Sequence, residues 1–268
     1  MKKKYKIGVI GAGFMASAIV KGAIDSGVIP SSQIIVSDVS QIALDKIARL
    51  GVSTTLDNTQ LVEQSDFVLF AVKPQSLTDV FASIKTKECS KIITIMAGVK
   101  KQRFKDNFTN VLVARCMPNT PCAISNGAVG IDLSDFTEEE DISFIQDMFS
   151  SLAEVVLLDE SKMNAVTGIS GSAPAYFYLF LKGVIEAGVE QGLTYEQAKA
   201  LATNTMIGAG YMVVANHDKT LDELINAVCS KGGTTIEAVK VYNDGELTNL
   251  TKKAVDACVK RSAELENV

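Results

Sequence analysis

The sequence predicts an α/β fold: a doubly wound, mostly parallel sheet over residues 1–159, then an all-helical domain over residues 160–268. Three observations carry this. Short apolar runs alternate with helix-period patterns through the first half, as βαβ units require. Several of those runs lack polar alternation, which suits strands buried on both faces of a parallel sheet. After about Asp159 the strand-like runs stop and only helical patterns follow.

The first element is Tyr5 to Ile10, YKIGVI, a short β-rich run. Gly11-Ala12-Gly13-Phe14-Met15-Ala16 follows, and Ile19, Val20, Ala23 and Ile24 then recur at helical spacing. This is a strand, a glycine turn and a helix. In G-x-G-x-x-A, Gly11 permits the tight turn, Gly13 lets the backbone approach a pyrophosphate, and Ala16 allows close helix–strand packing. The helix start offers free N–H groups and a positive dipole end to phosphates.

A second strand spans Gln33 to Ser37 and ends in Asp38. An acidic residue there can accept from a ribose 2′-OH, as in NAD sites. Asp38 can equally cap the next helix, and Ser37 and Ser40 can serve a 2′-phosphate, so cofactor choice stays open. A helix over Gln41 to Leu50 and a short strand over Val52 to Thr54 continue the alternation. Asp66 to Val72 reads as a buried strand ending in Lys73-Pro74, and Ile92 to Met96 as another, ending in Ala97-Gly98. Val111 to Arg115 reads as a sixth, followed by the loop Met117-Pro118-Asn119-Thr120-Pro121. In a parallel sheet these ends share one edge, where a dinucleotide would lie. Gly127 to Ile131 and Glu154 to Leu158 read as two more strands around a helix, Glu138 to Ser150, whose acidic start suits the helix dipole.

Lys162 to Val166 opens the helical half. Ser170 to Tyr176 reads as a loop feeding a long helix, with Ser172 as N-cap and Pro174 in the first turn. A further helix runs from Tyr195 to about Val214 with Gly208 and Gly210 inside it, marking a close helix approach, a subunit contact or a kink. Leu221 to Val228 is a short amphipathic helix. The glycine pair and hydroxyls of Ser230-Lys231-Gly232-Gly233-Thr234-Thr235 then open another, where backbone N–H groups can hold a carboxylate. The last helix is expected over Gly245 to Leu265. Wide apolar faces in this half suit an intertwined dimer.

The bulk composition is that of an ordinary globular chain: 47% apolar and 21% charged residues, with a net charge of −5. No basic nucleic-acid footprint is expected. Lys2-Lys3-Lys4 reads as a solvated tail. No apolar run approaches the ~18 residues of a membrane span, and no signal-peptide pattern is present. The five cysteines form no CxxC pair, which fits reduced thiols and a cytoplasmic protein. The single His217 lies in a polar stretch and reads as a turn residue, so neither a Cys–His pair nor a metal site is expected.

Six segments, in order along almost the whole chain, resemble the pyrroline-5-carboxylate reductase family: IGVIGAGFMASAI, FAVKP, MAGV, RCMPNTP, SGSAPAYFY and VCSKGGTTIEAV. Two positions depart from the family pattern. Lys231 stands where Pro is common, which bears on loop rigidity, and Ala173 where Gly or Ser is common. The resemblance implies a Rossmann-type domain followed by a helical dimerisation domain, assembled as dimers and often as rings of five dimers. It implies reduction of 1-pyrroline-5-carboxylate to L-proline by NADPH or NADH. By the same resemblance Gly11, Ala12, Gly13, Phe14 and Met15 wrap the pyrophosphate, Ile10 also belongs to the cofactor site, and Ser37, Asp38 and Asn58 border the adenosine ribose. Ala71, Val72, Lys73, Pro74, Met96, Ala97 and Gly98 line the rest of the dinucleotide. Ser230, Gly232, Gly233, Thr234 and Thr235 hold the substrate, Thr235 reaches the imine nitrogen, and Glu160 lies near the substrate. Two other readings are a different reductase on the same scaffold, acting on a 3-hydroxy acid, which would need Lys162 or Lys182 as its acid, or on another cyclic imine, and a nucleotide-binding regulatory or scaffold protein without turnover.

Overall fold

A computed structural model describes residues 3–266. The chain divides into two compact units. One comprises the described residues up to Ser172 together with those from Cys258 onward, and the other is Ala173–Ala257.

The first unit is built on an eight-stranded sheet. β1 (Tyr5–Ile10) leads into α1 (Phe14–Asp25), then β2 (Ile34–Ser37), α2 (Gln41–Ile47), β3 (Ser53–Thr55), α3 (Asn58–Gln64) and β4 (Ser65–Phe70). α4 (Leu77–Ser83), β5 (Lys91–Thr94), α5 (Lys101–Lys105), β6 (Leu112–Pro118), β7 (Gly127–Asp132), α6 (Glu139–Ser150), β8 (Ala153–Leu157) and α7 (Met163–Val166) follow. The strand order is β3-β2-β1-β4-β5-β6-β7-β8. All neighbours are parallel except β6 and β7.

Alternate side chains of the central strands point to opposite faces, and both faces are buried. Ile7, Val9, Phe67 and Leu69 pack with α1, α2 and α6 on one side. Ile10, Val68 and Phe70 pack with Leu61, Leu77, Phe81 and Phe104 on the other. Burial on two faces is why these strands read as unbroken apolar runs.

Several readings need correction. The buried strand read as Asp66 to Val72 ends at Phe70, since Ala71 and Val72 run past the last ladder pairs. β6 does not end at Arg115. Cys116, Met117 and Pro118 pair with Ile131, Gly130 and Val129 of the antiparallel β7, so part of the expected loop is strand. Pro is tolerated there because it closes the strand. Ser170 to Tyr176 is not a plain loop either. A π-helical turn, Thr167–Gly171, runs almost directly into the long helix α8 (Ala173–Glu190), closed by Ser172 N–H donating to Thr167 O at 2.9 Å. Ser172 has helical dihedrals, so it is no N-cap, which would need an extended backbone.

In the second unit, α8 packs on α9 (Tyr195–Ala215), with Gly188 admitting Ala198 to the helix contact. α10 (Leu221–Val228) and α11 (Thr234–Asp244) follow. α12 (Leu247–Leu265) starts two residues later than expected, because Gly245 closes α11 and Glu246 turns the chain at φ +52°. Phe180 and Tyr242 sit 5.9 Å apart between ring centres. A cavity of about 810 Å³ opens among Phe177, Phe180, Leu201, Met206, Val213 and Leu247. α9 is one unbroken helix, and positions 208 and 210 face open space, so no close approach within this chain explains their glycines. Among the described residues no helix is long and apolar enough to cross a membrane. Lys2 lies outside the described residues, and Lys3 Nζ donates to Glu63 O at 2.8 Å.

Phe70 is fully buried among Phe81, Phe104 and Phe108, with ring centres 6.0, 5.0 and 6.2 Å away. Phe70→Ala is expected to cost ~3–5 kcal/mol in urea denaturation. A loss below ~1 kcal/mol would mean the cluster is loosely packed.

Candidate functional site

The register of the sheet assembles the site. Ile10 is level with Ser37 on one side and Phe70 on the other, and Phe70 is level with Thr94. Residues just beyond these positions therefore emerge along one edge. Backbone bonds hold them level: Gly11 N–H to Ser37 O at 2.7 Å, Ala71 N–H to Ile10 O at 2.9 Å, and Ile95 N–H to Phe70 O at 3.2 Å. The strand order reverses at β1, where doubly wound sheets open a crevice for ligands.

The glycine turn fills that position. Gly11 has φ +104°, and a Cβ there would lie 2.7 Å from Ala71 O. Gly13 has an ordinary backbone at φ −73°, and a Cβ would meet nothing within 4 Å. The fold therefore requires glycine at 11, while at 13 glycine leaves open space over the start of α1. No side chain caps α1, so its first N–H groups are available to an anion. Ala16 is buried against the sheet, while Phe14 is 67% exposed and Met15 half-buried. These features fit a bound dinucleotide.

Along the same edge Asp38 Oδ2 accepts from Ala12 N–H at 2.7 Å and Oδ1 from Ser40 N–H at 2.8 Å. It does not cap α2. Ser40 does, through Ala43 N–H at 3.3 Å. Ser37 is buried, and its hydroxyl donates to Asn58 Oδ1 at 2.5 Å, while Asn58 Nδ2 donates to Ser83 Oγ at 2.8 Å. Ala71, Val72, Lys73 and Pro74 follow β4, with Lys73 exposed, and Met96, Ala97 and Gly98 follow β5. Pro74 and Gly98 both line a cavity of about 420 Å³ with Thr78, Arg103 and Leu265. The third expected loop is used structurally: Asn119 Oδ1 accepts from Ala128 N–H at 3.0 Å, clamping the β6–β7 turn.

Glu160 belongs to a charge cluster that sequence reasoning missed. Its Oε1 accepts from Lys101 N–H at 2.8 Å and Arg115 Nη1 at 3.2 Å. Arg115 also gives both Nη groups to Glu266 Oε1 at 3.1 Å, and Lys100 Nζ lies 3.2 Å from Glu266 Oε2. A signal was present: an arginine inside an apolar strand must find partners when buried. Lys101 is likewise buried, 3.2 Å from Asp132 and 2.8 Å from Asp135.

In the helical unit Gly232 has φ +73°, and Gly233 N–H donates to Ser230 O at 3.0 Å. This turn delivers Thr234 and Thr235 to the first two positions of α11, whose start no side chain caps. Ser230, Lys231 and Thr234 are exposed and Thr235 half-buried. The helix start presents N–H groups and two hydroxyls to an anion. Residues 230, 232, 233, 234 and 235 thus form one local cluster. His217 is exposed in the turn after α9.

A family profile described as pyrroline-5-carboxylate reductase dimerisation matches residues 160–265, and one described as NADP oxidoreductase coenzyme F420-dependent matches residues 6–98. A pyrroline-5-carboxylate reductase of Pisum sativum is 35% identical over 99% of this chain and 97% of its own. The Haemophilus influenzae enzyme of that name is 35% identical over 98% of each. The solved structure of a pyrroline-5-carboxylate reductase from Coxiella burnetii matches with TM-score 0.86 and 32% identity, covering 98% of this chain and 99% of that one. The Plasmodium falciparum pyrroline carboxylate reductase, solved with NADP bound, matches with TM-score 0.86 and 26% identity over 99% and 100%.

The two glycines are expected to separate on mutation. Gly11→Ala should lower the melting temperature, at a cost above ~1 kcal/mol. Gly13→Ala should leave it unchanged and weaken dinucleotide binding, read by nicotinamide fluorescence. Equal melting losses would refute the division of labour.

Burial alone would raise the Glu266 carboxyl, but hydrogen bonds from Lys100, Arg115 and Asn164 outweigh it and hold the carboxyl below its usual range. A lowered folded value contributes stability that is present above the unfolded value of ~4.3 and lost as pH falls through the folded one. Glu266→Gln should therefore lower the melting temperature at neutral pH and flatten its fall in acid. An unchanged acid profile would assign the titration to another group.

Proposed function

The chain belongs to the pyrroline-5-carboxylate reductase family, and we infer from that membership and from the strand-end crevice that it is an NAD(P)H-dependent oxidoreductase reducing 1-pyrroline-5-carboxylate to L-proline, the last step of proline biosynthesis. The carrying observation is the glycine turn with open space at Gly13, set where the strand order reverses.

A nicotinamide bound in the crevice would supply the hydride. Around it, the backbone of Gly11 to Met15 would hold the pyrophosphate, with the buried Ile10 leading into the turn, and Ser37, Asp38 and Asn58 would border the ribose. Ala71 to Pro74 and Met96 to Gly98 line the remainder. Ser230, Gly232, Gly233 and Thr234 hold the substrate carboxylate and ring, supported by the uncapped start of α11. Glu160 borders the substrate, its carboxylate steadied by Arg115 and the Lys101 N–H.

The substrate arrives as the protonated imine. Its N–H would donate to Thr235 Oγ1, which would orient the imine for reduction while the nitrogen keeps its proton as the ring amine of proline. A cation already electrophilic needs orientation and a dry pocket more than a strong acid, and positioning alone can remove ~7–11 kcal/mol of barrier. A lysine acid, as a hydroxy-acid reductase would use, has poor support: Lys162 is exposed, and Lys182 forms a surface pair with Glu186 at 3.6 Å.

Functionally, residues 1–159 are the dinucleotide-binding domain and residues 160–268 the substrate and dimerisation domain. The homodimer is supported by α9, where Leu201, Ile207, Tyr211, Met212 and Val214 are more than half exposed in a single chain. So broad an apolar face calls for a covering partner. Dimers assemble further into a ring of five. The enzyme works in the cytoplasm, which the five free cysteines favour.

Oxidation of NADH or NADPH on adding pyrroline-5-carboxylate, followed by absorbance, is the test. No oxidation by folded protein would refute the assignment. Thr235→Val is expected to lower kcat/KM by about tenfold to a hundredfold, the cost of one hydrogen bond to a charged group. Full activity would remove Thr235 from the mechanism.

A further inference from the structure

The end of β2 carries a specificity device. We propose that this chain selects NADH over NADPH and that Asp38 is the residue that decides it. The proposal rests on the reading of the strand-end crevice as the dinucleotide site.

Both oxygens of the Asp38 carboxylate are held by backbone N–H groups, one from the glycine turn and one from the start of α2. These bonds keep the carboxylate from swinging away. Because Ser37 is level with Ile10, Asp38 stands beside the turn that receives the pyrophosphate, on the side of β2. A carboxylate has about four lone-pair sites, so each oxygen can still accept from a ribose hydroxyl. A 2′-phosphate in that place would bring a second anion against a fixed first one. At ~4 Å near a protein surface such repulsion is large compared with thermal energy.

Few donors are left for a 2′-phosphate. Ser40 N–H is bound to Asp38, while Ser40 Oγ accepts from Ala43 N–H and keeps one hydrogen to donate. Ser37 is buried, and its hydroxyl donates to Asn58. No lysine or arginine occurs in residues 37–45 after β2, nor in residues 53–60 around the end of β3. Asp57 makes the second stretch more acidic still, while Asp45 on α2 is followed directly by Lys46. The alternative use of Asp38, as a helix cap, is excluded because Ser40 fills that role.

The test is equilibrium binding of NADH and NADPH, titrated by nicotinamide fluorescence on the full chain without substrate. NADH is expected to bind at least about tenfold more tightly. Asp38→Asn keeps an oxygen to accept from Ala12 N–H while removing the charge, and should bring the two affinities together. NADPH binding as tightly as NADH in the unmutated protein would overturn the proposal while leaving the crevice reading intact. An unchanged ratio in Asp38→Asn would overturn the role of Asp38. Folded protein that binds neither nucleotide would overturn the crevice reading and the selectivity together.

Discussion

The level ending of β1, β2 and β4 is the constraint on which the site depends. Ile10 is paired on one side with Ser37 and on the other with Phe70, so three chains leave the sheet at the same height. A register slip of one residue would turn every side chain of a strand to the opposite face. Here both faces are buried, and Phe67 and Phe70 belong to different cores, so a slip is penalised twice. The hydrophobic core thus fixes the register, and the register brings Gly11, Asp38 and Ala71 together.

A second constraint works through charge. Arg115 is 2% exposed at the C-terminal side of the parallel sheet, and a buried guanidinium cannot go unpaired. It draws in Glu160, ahead of α7, and Glu266, beyond α12. Ser262 Oγ donates to Asn164 Oδ1 at 2.7 Å in the same region, and Leu265 packs where a Cβ at Gly98 would otherwise sit. The C-terminal stretch therefore belongs to the first unit, next to the loop after β5. Glu160 acquires a structural task here in addition to the one proposed for it at the substrate.

The helical unit shows the opposite economy. Its helices are apolar but bury little within one chain, and Gly208 and Gly210 face open space. Such a surface is stable in water only when another surface covers it. The N-terminal unit closes its own core, whereas the helical one is completed by association.

The amino-acid sequence by itself determined what is local. Strand and helix identities follow from periodicity, and the turns at Gly11 and at Gly232 follow from the backbone freedom of glycine. Family segments placed the candidate residues because each lies within a short run. Tertiary structure decided the rest. That Cys116 to Pro118 pair with β7, that Arg115 binds residues 45 and 151 positions away, and that Asp38 holds Ala12 N–H rather than capping α2 all involve partners distant in sequence. Such partners are selected by comparing burial and hydrogen-bond satisfaction over the whole chain, and no short window of sequence contains that comparison.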